Sequence, residues 1–315
     1  MKFLLWLMLF FSVLFLGTVL FNQEQIMHPK KRALQTYHYD WLEHPQKHGI
    51  KIEKHSSRNG SPYLIVSLSK NHIQSKRQLL LEKQLKTQGL KKSHGLLVLL
   101  HGKNGRKEDL LPVAERYVSL GFTCILPDLP RHGESKVETL YYATAYKEQH
   151  YVDEILDDVS QHLKIDKNLY IWGMSLGGAF AIQTVAHSKY QFKKMILVST
   201  FVRLDRVLKE KATSLFGSFF GSMLYGSLEK SLELFYDFKP SSANSAKIAR
   251  KLRIPLYQVH GKKDELISFE QGKALFKSFA SKKKQLYLDE EGTHHNILVT
   301  KHEFYKESGI FLCEH

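Results

Sequence analysis

Ser175 lies in the stretch YIWGMSLGGAF, residues 170–180, with Gly173 two places before it and Gly177 two places after. A strand-like run precedes it and a helix-like run follows. A serine hydroxyl is a poor nucleophile at neutral pH and needs a base beside it. A sharp strand-to-helix turn can present such a serine, and only flanking glycines leave room for that turn. The five-residue pattern alone is a weak signal, and its plain reading is a serine at a tight helix start. Its placement between LYIW and LGGAFAIQTVA is what favours a nucleophile.

Acyl transfer needs three further things: a base, an acid to orient it, and donors for the developing oxyanion. The chain has 17 histidines, so a lone one carries little weight. Two stand together in EGTHHN, late in the chain, and before them Asp264 stands in VHGKKDE. Serine, then aspartate, then histidine is the chain order of a nucleophile–acid–base set on an open α/β sheet. We assign the base to His295, which precedes Asn296 and a helix start, with His294 as the alternative. Asp264 would orient the imidazole; its bland reading is the N-cap of the following helix. The backbone N–H groups of Leu176, just after the nucleophile, and Lys103, in the loop after VLLHG, are the candidate oxyanion donors.

These residues need a scaffold that brings them to one edge. GLLVLLHG, FTCILPD, NLYIWG, KMILVST, IPLYQVHG and KQLYLDE are apolar runs of the kind buried on both faces of a parallel sheet. Helical patterns lie between them, as at 151–164, where Val152, Ile155, Leu156, Val159 and Leu163 recur at helical spacing. Such alternation predicts a mostly parallel central sheet flanked by helices. Its chemistry sits beyond the carboxyl ends of the strands, where His101, Asp128, Ser175, Asp264 and the His294–His295 pair all fall. GIKIEKHSSRNGSPYLIVSLS reads as a hairpin turning at Asn59-Gly60. His72 to Lys92 is charged and reads as a helix or a loop insertion. Between Phe201 and Arg253 the alternation stops, and about 201–250 reads as a helical cap insertion.

Residues 3–21 carry no charge, and at 1.5 Å per residue span about 28 Å, close to a bilayer core. We read residues 1–21 as a transmembrane signal anchor, 22–48 as a stalk and 49–315 as the catalytic domain. The alternative is a cleaved signal, leaving a secreted or periplasmic protein, although GTVLFNQEQ is a poor cleavage site. The net charge of +15 is spread along the chain and forms no nucleic-acid module; it fits an anionic membrane surface or a generally basic proteome. Cys124 and Cys313 form no metal, redox or disulfide pattern, and no metal or organic cofactor is indicated.

LLVLLHGKNG, LPDLPRHGES, GMSLGG, VHGKKDELIS and EGTHHNIL, in this order, resemble the α/β-hydrolase superfamily over about residues 49–312. They are most similar to its branch of monoacylglycerol lipases, lysophospholipases and serine-aminopeptidase-like hydrolases. The resemblance implies an α/β-hydrolase fold, with Ser175, Asp264 and His295 as the triad and Lys103 and Leu176 as oxyanion donors. Two positions depart from the branch: Pro130, expected to alter loop shape only, and His294, where a glycine is common. The cap normally shapes the acyl pocket in this superfamily. Here Leu215 to Leu224 (LFGSFFGSML) reads either as a greasy lid or as a helix buried against the sheet. The expected activity is hydrolysis of lipidic or medium-chain carboxylic esters, beside a membrane held by the N-terminal helix. Thioesterase and amidase or peptidase activities use the same triad, and a binding protein on a hydrolase scaffold is the reading from a different class. The oligomeric state is not legible from sequence.

Overall fold

The computed structural model describes residues 2–69, 74–144, 148–299 and 302–314. At its centre is an eight-stranded sheet, β1 (Ile50–Ser56), β2 (Pro62–Leu68), β3 (Gly95–Leu100), β4 (Phe122–Pro127), β5 (Leu169–Met174), β6 (Lys194–Val198), β7 (Leu256–Gly261) and β8 (Lys284–Asp289). The strand order is β1-β2-β4-β3-β5-β6-β7-β8. Only β1–β2 and β2–β4 pair antiparallel; the rest of the sheet is parallel. The expected hairpin is β1–β2, with Gly60 at φ +77 in its turn.

The strands are apolar throughout because both faces are covered. On β3, Leu96, Val98 and Leu100 enter one core layer, while Leu97 and Leu99 enter the other. Ile171 and Trp172 on β5 divide the same way, and both are fully buried. Each such side chain contributes roughly 1.5–3 kcal/mol on leaving water. The first layer takes the inner sides of α5 (Tyr151–Val159), α6 (Leu176–His187), α8 (Ser245–Ala249) and α9 (Phe269–Ser278). The second takes α3 (Lys76–Thr87), α4 (Leu111–Ser119) and α10 (His302–Cys313). Helix α3 accounts for most of the charged segment read from His72, whose own position lies outside the described residues.

The N-terminal segment differs from expectation. Helix α1 runs over Lys2–Met27, through the first residues of the expected stalk. The next residues are also tied down: α2 (Thr36–Glu43) buries Trp41, and His38 Nε2 lies 2.8 Å from Asp109 Oδ1. Residues 22–48 lack an apolar period because only scattered side chains meet the body, not because the segment stands free. The cap is a helical hairpin, α7 (Leu204–Tyr236), folded back on itself at Gly217, whose φ is +75. A Cβ on Gly221 would overlap the backbone of Ala212 and Thr213, so the two arms touch.

Candidate active site

The sheet order reverses at β3: the chain steps to β4 on one side and then to β5 on the other. Beyond the carboxyl ends of β3 and β5, at this crevice, lies a cavity of about 810 Å³. Ser175 stands at its base, 8% exposed, between the last residue of β5 and the first of α6. Its backbone is held at φ 53 and ψ −116, a region that strains any residue with a Cβ. The glycines around it are required by contact. A Cβ on Gly173 would overlap the Gly177 carbonyl, one on Gly177 would overlap Leu100 O, and one on Gly178 would strike the Thr200 side chain. The flanking glycines therefore admit the elbow, and Ser175 N–H donates to Val198 O (2.8 Å) to hold it.

Asp264 follows β7 in a turn. Its Oδ1 accepts the backbone N–H groups of Leu266 (3.0 Å) and Ile267 (2.9 Å). Helix α9 begins only at Phe269, with Ser268 as its N-cap, so the capping alternative for Asp264 does not apply. Across the turn, His294 Nδ1 lies 2.9 Å from Oδ2 and 3.1 Å from Oδ1. An ionised carboxylate only accepts, so Nδ1 carries the proton facing Asp264, and in the neutral ring Nε2 holds the lone pair. Burial alone would raise the Asp264 carboxyl, but the hydrogen bond and charge of His294 outweigh it, and the pKa lies below the ordinary value.

The histidine joined to Asp264 is thus His294 and not His295. The His295 ring is 75% exposed and its nearest carboxylate is that of Glu265, at 3.8 Å. The turn after β8 decides between them. Thr293 N–H donates to Asn296 Oδ1 (2.7 Å) and Asn296 N–H to Thr293 Oγ1 (3.2 Å), pinning both ends of the histidine pair. Within that turn one ring points inward and its neighbour must point out. The Thr-x-x-Asn spacing was the available signal, and its reciprocal bonding is of the kind seen in capping boxes.

The candidate oxyanion donors flank the serine. Leu176 opens α6, so its N–H is among those a helix leaves without an internal partner. Lys103 lies in the loop after β3, which passes so close that a Cβ on Gly102 would sit 3.4 Å from Ser175 Cβ. His101, at the root of this loop, is fully buried and structural. Its Nε2 accepts Leu129 N–H (3.0 Å) and its Nδ1 donates to Gly102 O (2.8 Å), joining the loops after β3 and β4. Burial lowers its pKa to about 4, which keeps the ring neutral for that double role. Asp128 anchors the RHGES segment by accepting from Lys107 Nζ (2.8 Å), Lys107 N–H (2.8 Å) and Glu134 N–H (2.9 Å). The positive φ of Gly133 (+51) lets the backbone pass over that carboxylate. Pro130 O accepts from the buried His132 (2.7 Å).

The cavity wall on the cap side is the first arm of α7, through Leu204, Val207 and Leu208. The expected lid residues are elsewhere: Leu215, Phe216, Phe219 and Phe220 are 51–73% exposed and line no part of it. They are not buried against the sheet either. The sequence could not foresee the fold-back at Gly217, which turns them away from both. The last turn of α1 reaches the site as well. Lys103 Nζ donates to Gln25 O (3.1 Å) and Tyr142 OH to Ile26 O (2.7 Å). Among the described residues no cluster of histidine, cysteine and carboxylate side chains could hold a metal ion.

Comparison with known proteins agrees with this architecture. Residues 91–233 match the family described as serine aminopeptidase, S33. An uncharacterized 31.7 kDa protein of Escherichia coli, from the traX-finO intergenic region, is 23% identical over 242 residues, 65% of this chain and 84% of that protein. An esterase from Pyrococcus furiosus has a similar structure, with a TM-score of 0.62 at 16% identity, over 91% of this chain and 96% of that one. A bacterial membrane phospholipase A, described as a virulence factor, has a TM-score of 0.55 at 15% identity, over 99% of this chain and 97% of that one. The chain therefore has the α/β-hydrolase fold.

Proposed function

We propose that this α/β hydrolase is a serine esterase acting on lipidic or medium-chain carboxylic esters. The observation that carries the reading is Ser175, on a strained elbow, at one cavity with His294, whose far side is held by the Asp264 carboxylate. In the reaction His294 Nε2 takes the Ser175 proton as Oγ attacks the ester carbonyl. Asp264 holds the ring and stabilises the imidazolium. The N–H groups of Leu176 and Lys103 receive the oxyanion. His294 then protonates the departing alkoxide, and water repeats the sequence to release the acid. The family match over residues 91–233 spans Ser175, and the likeness of fold to an esterase supports the same reading.

Substrate class rests on the lining. Leu204, Val207, Leu208 and Ile267 supply an apolar wall for an acyl chain. A peptidase that reads a free α-amine needs a carboxylate to meet it. Apart from the triad, the described lining offers Asp109, already engaged by Arg32 and His38, against Arg32, Arg77, Lys103, Arg116 and Lys211. Neutral or anionic lipids suit such a wall better than ammonium-bearing peptides. The single-pass anchor is part of the same proposal. Phe3–Met27 has the length and mean hydropathy (2.5) to cross a bilayer, and its last turn is built into the folded domain, which argues against removal as a signal.

Initial rates on p-nitrophenyl esters of increasing chain length, with Ser175→Ala as blank, test the reading. Rates well above the blank that rise toward medium or long chains are expected. A preference for the shortest chains removes the lipid part, and rates equal to the blank on all esters remove the esterase.

A further inference from the structure

The cap hairpin carries an apolar surface that neither the cavity nor the core uses. From Ala212 to Leu228 the sequence ATSLFGSFFGSMLYGSL has no charge. Leu215, Phe216, Phe219, Phe220 and Met223 are 66%, 51%, 73%, 61% and 44% exposed around the turn at Gly217. Five apolar side chains this open at one tip need a cover.

The neighbouring helix says which cover. Ser231 bonds Gln23, and the Tyr236 and His28 rings meet at 5.5 Å; both pairs are 208 positions apart, so α1 and the second arm of α7 run parallel in one register. On α1, Phe15, Thr18, Val19, Asn22, Gln23, Gln25, Ile26 and Met27 are wholly or partly buried while the other described positions are open, so the contact continues up the helix. Carried along the register, Glu229 and Lys230 stand level with Phe21 and Asn22, where α1 itself turns polar. Phe219 stands level with Phe11, inside the uncharged span. The first arm is fixed to the body where Glu210 accepts from Gln271 (2.8 Å) and Ser268 (3.1 Å). Seven residues beyond it, the tip projects about 10 Å, within one leaflet of a hydrocarbon core about 30 Å thick. Lys211, on this arm, lines the cavity.

We propose that the α7 tip, residues 212–223, is a second membrane-inserted element. It enters the same leaflet as α1 and sets the mouth of the cavity against the lipid surface. The inference rests on the reading of α1 as a bilayer anchor. It gives the apolar tip one occupant, the acyl layer of the bilayer, and accounts for the matching levels at which the two helices become polar.

The full chain in phosphatidylcholine–phosphatidylglycerol vesicles tests it. A polarity-sensitive fluorophore is placed at Phe219→Cys, and separately at Leu9→Cys and at Lys164→Cys on the opposite end of the sheet; the native Cys124 and Cys313 are buried. Nitroxide lipids labelled on the acyl chain should quench positions 219 and 9 and leave 164 bright. Quenching at 9 without quenching at 219 overturns the insertion but leaves the anchor. Loss of quenching at both overturns the anchor and the insertion with it. Self-quenching between copies at 219, without lipid quenching, assigns the tip to a second copy and also overturns the proposal. As a second arm, Phe219→Asp with Phe220→Asp should lower the rate on vesicle-embedded ester about tenfold while a short soluble ester is cleaved as before. Equal rates on both substrates would contradict it.

Discussion

At the scale of single residues, His294 and His295 show what spacing leaves open. Both follow β8, both are imidazoles, and one position separates them. Contact alone selects His294, through Asp264 at 2.9 Å. His294→Ala should reduce kcat/KM on the order of 10⁴-fold or more, close to Ser175→Ala, because triad members act as a unit. His295→Ala should stay within a few-fold of wild type. Steady-state kinetics on one ester would expose a reversed order. Lys103 makes a second prediction. Burial, and then the charge of Lys211, lower its pKa to about 8 from 10.5. The folded state therefore binds fewer protons than the unfolded chain between pH 8 and 10.5, so this group makes stability rise with pH across that window. Wild type should gain on Lys103→Met in thermal melts between those values; parallel curves would contradict the assignment.

At the scale of elements, the strands were legible because burial on both faces leaves no polar alternation to misread. The elbow was legible for the same kind of reason, since Gly173 and Gly177 answer a steric demand. Gly177→Ala forces a Cβ into Leu100 O and should destabilise the fold by about 3 kcal/mol, measured by denaturant titration in detergent. An unchanged midpoint would mean the elbow relaxes. The N-terminal segment was less legible. Its apolar run announces a span, but its polar last turn gives no sign that Lys103, Tyr142 and Ser231 hold it. A chain beginning at residue 28 should lose several-fold in kcat on a soluble ester, while one beginning at residue 21 keeps it. Equal activity of the two would reduce α1 to a tether.

At the scale of the molecule, the site depends on connections between distant parts of the chain. His101 ties the loops after β3 and β4, Asp264 ties the turn after β7 to that after β8, and α1 ties its last turn to the loop after β3. A linear reading sees each partner but not the pairing, which is why the order of the motifs was clear while the cap's fold-back was not. The net charge of +15 also acts at this scale. If it serves an anionic surface, binding of the protein without its span to phosphatidylglycerol vesicles should fall steeply between about 0.05 and about 0.5 M salt, as the Debye length shrinks from about 14 Å to about 4 Å. Binding unaffected by salt would leave the charge without that role.

The central claim is that Ser175 is a nucleophile activated by the His294–Asp264 pair. The most direct measurement is peptide mass spectrometry after brief exposure of the full chain to a fluorophosphonate. The account predicts one adduct, on Ser175, formed at wild-type rate in His295→Ala and almost absent in His294→Ala. An adduct on another residue, no adduct, or full labelling of His294→Ala would contradict it.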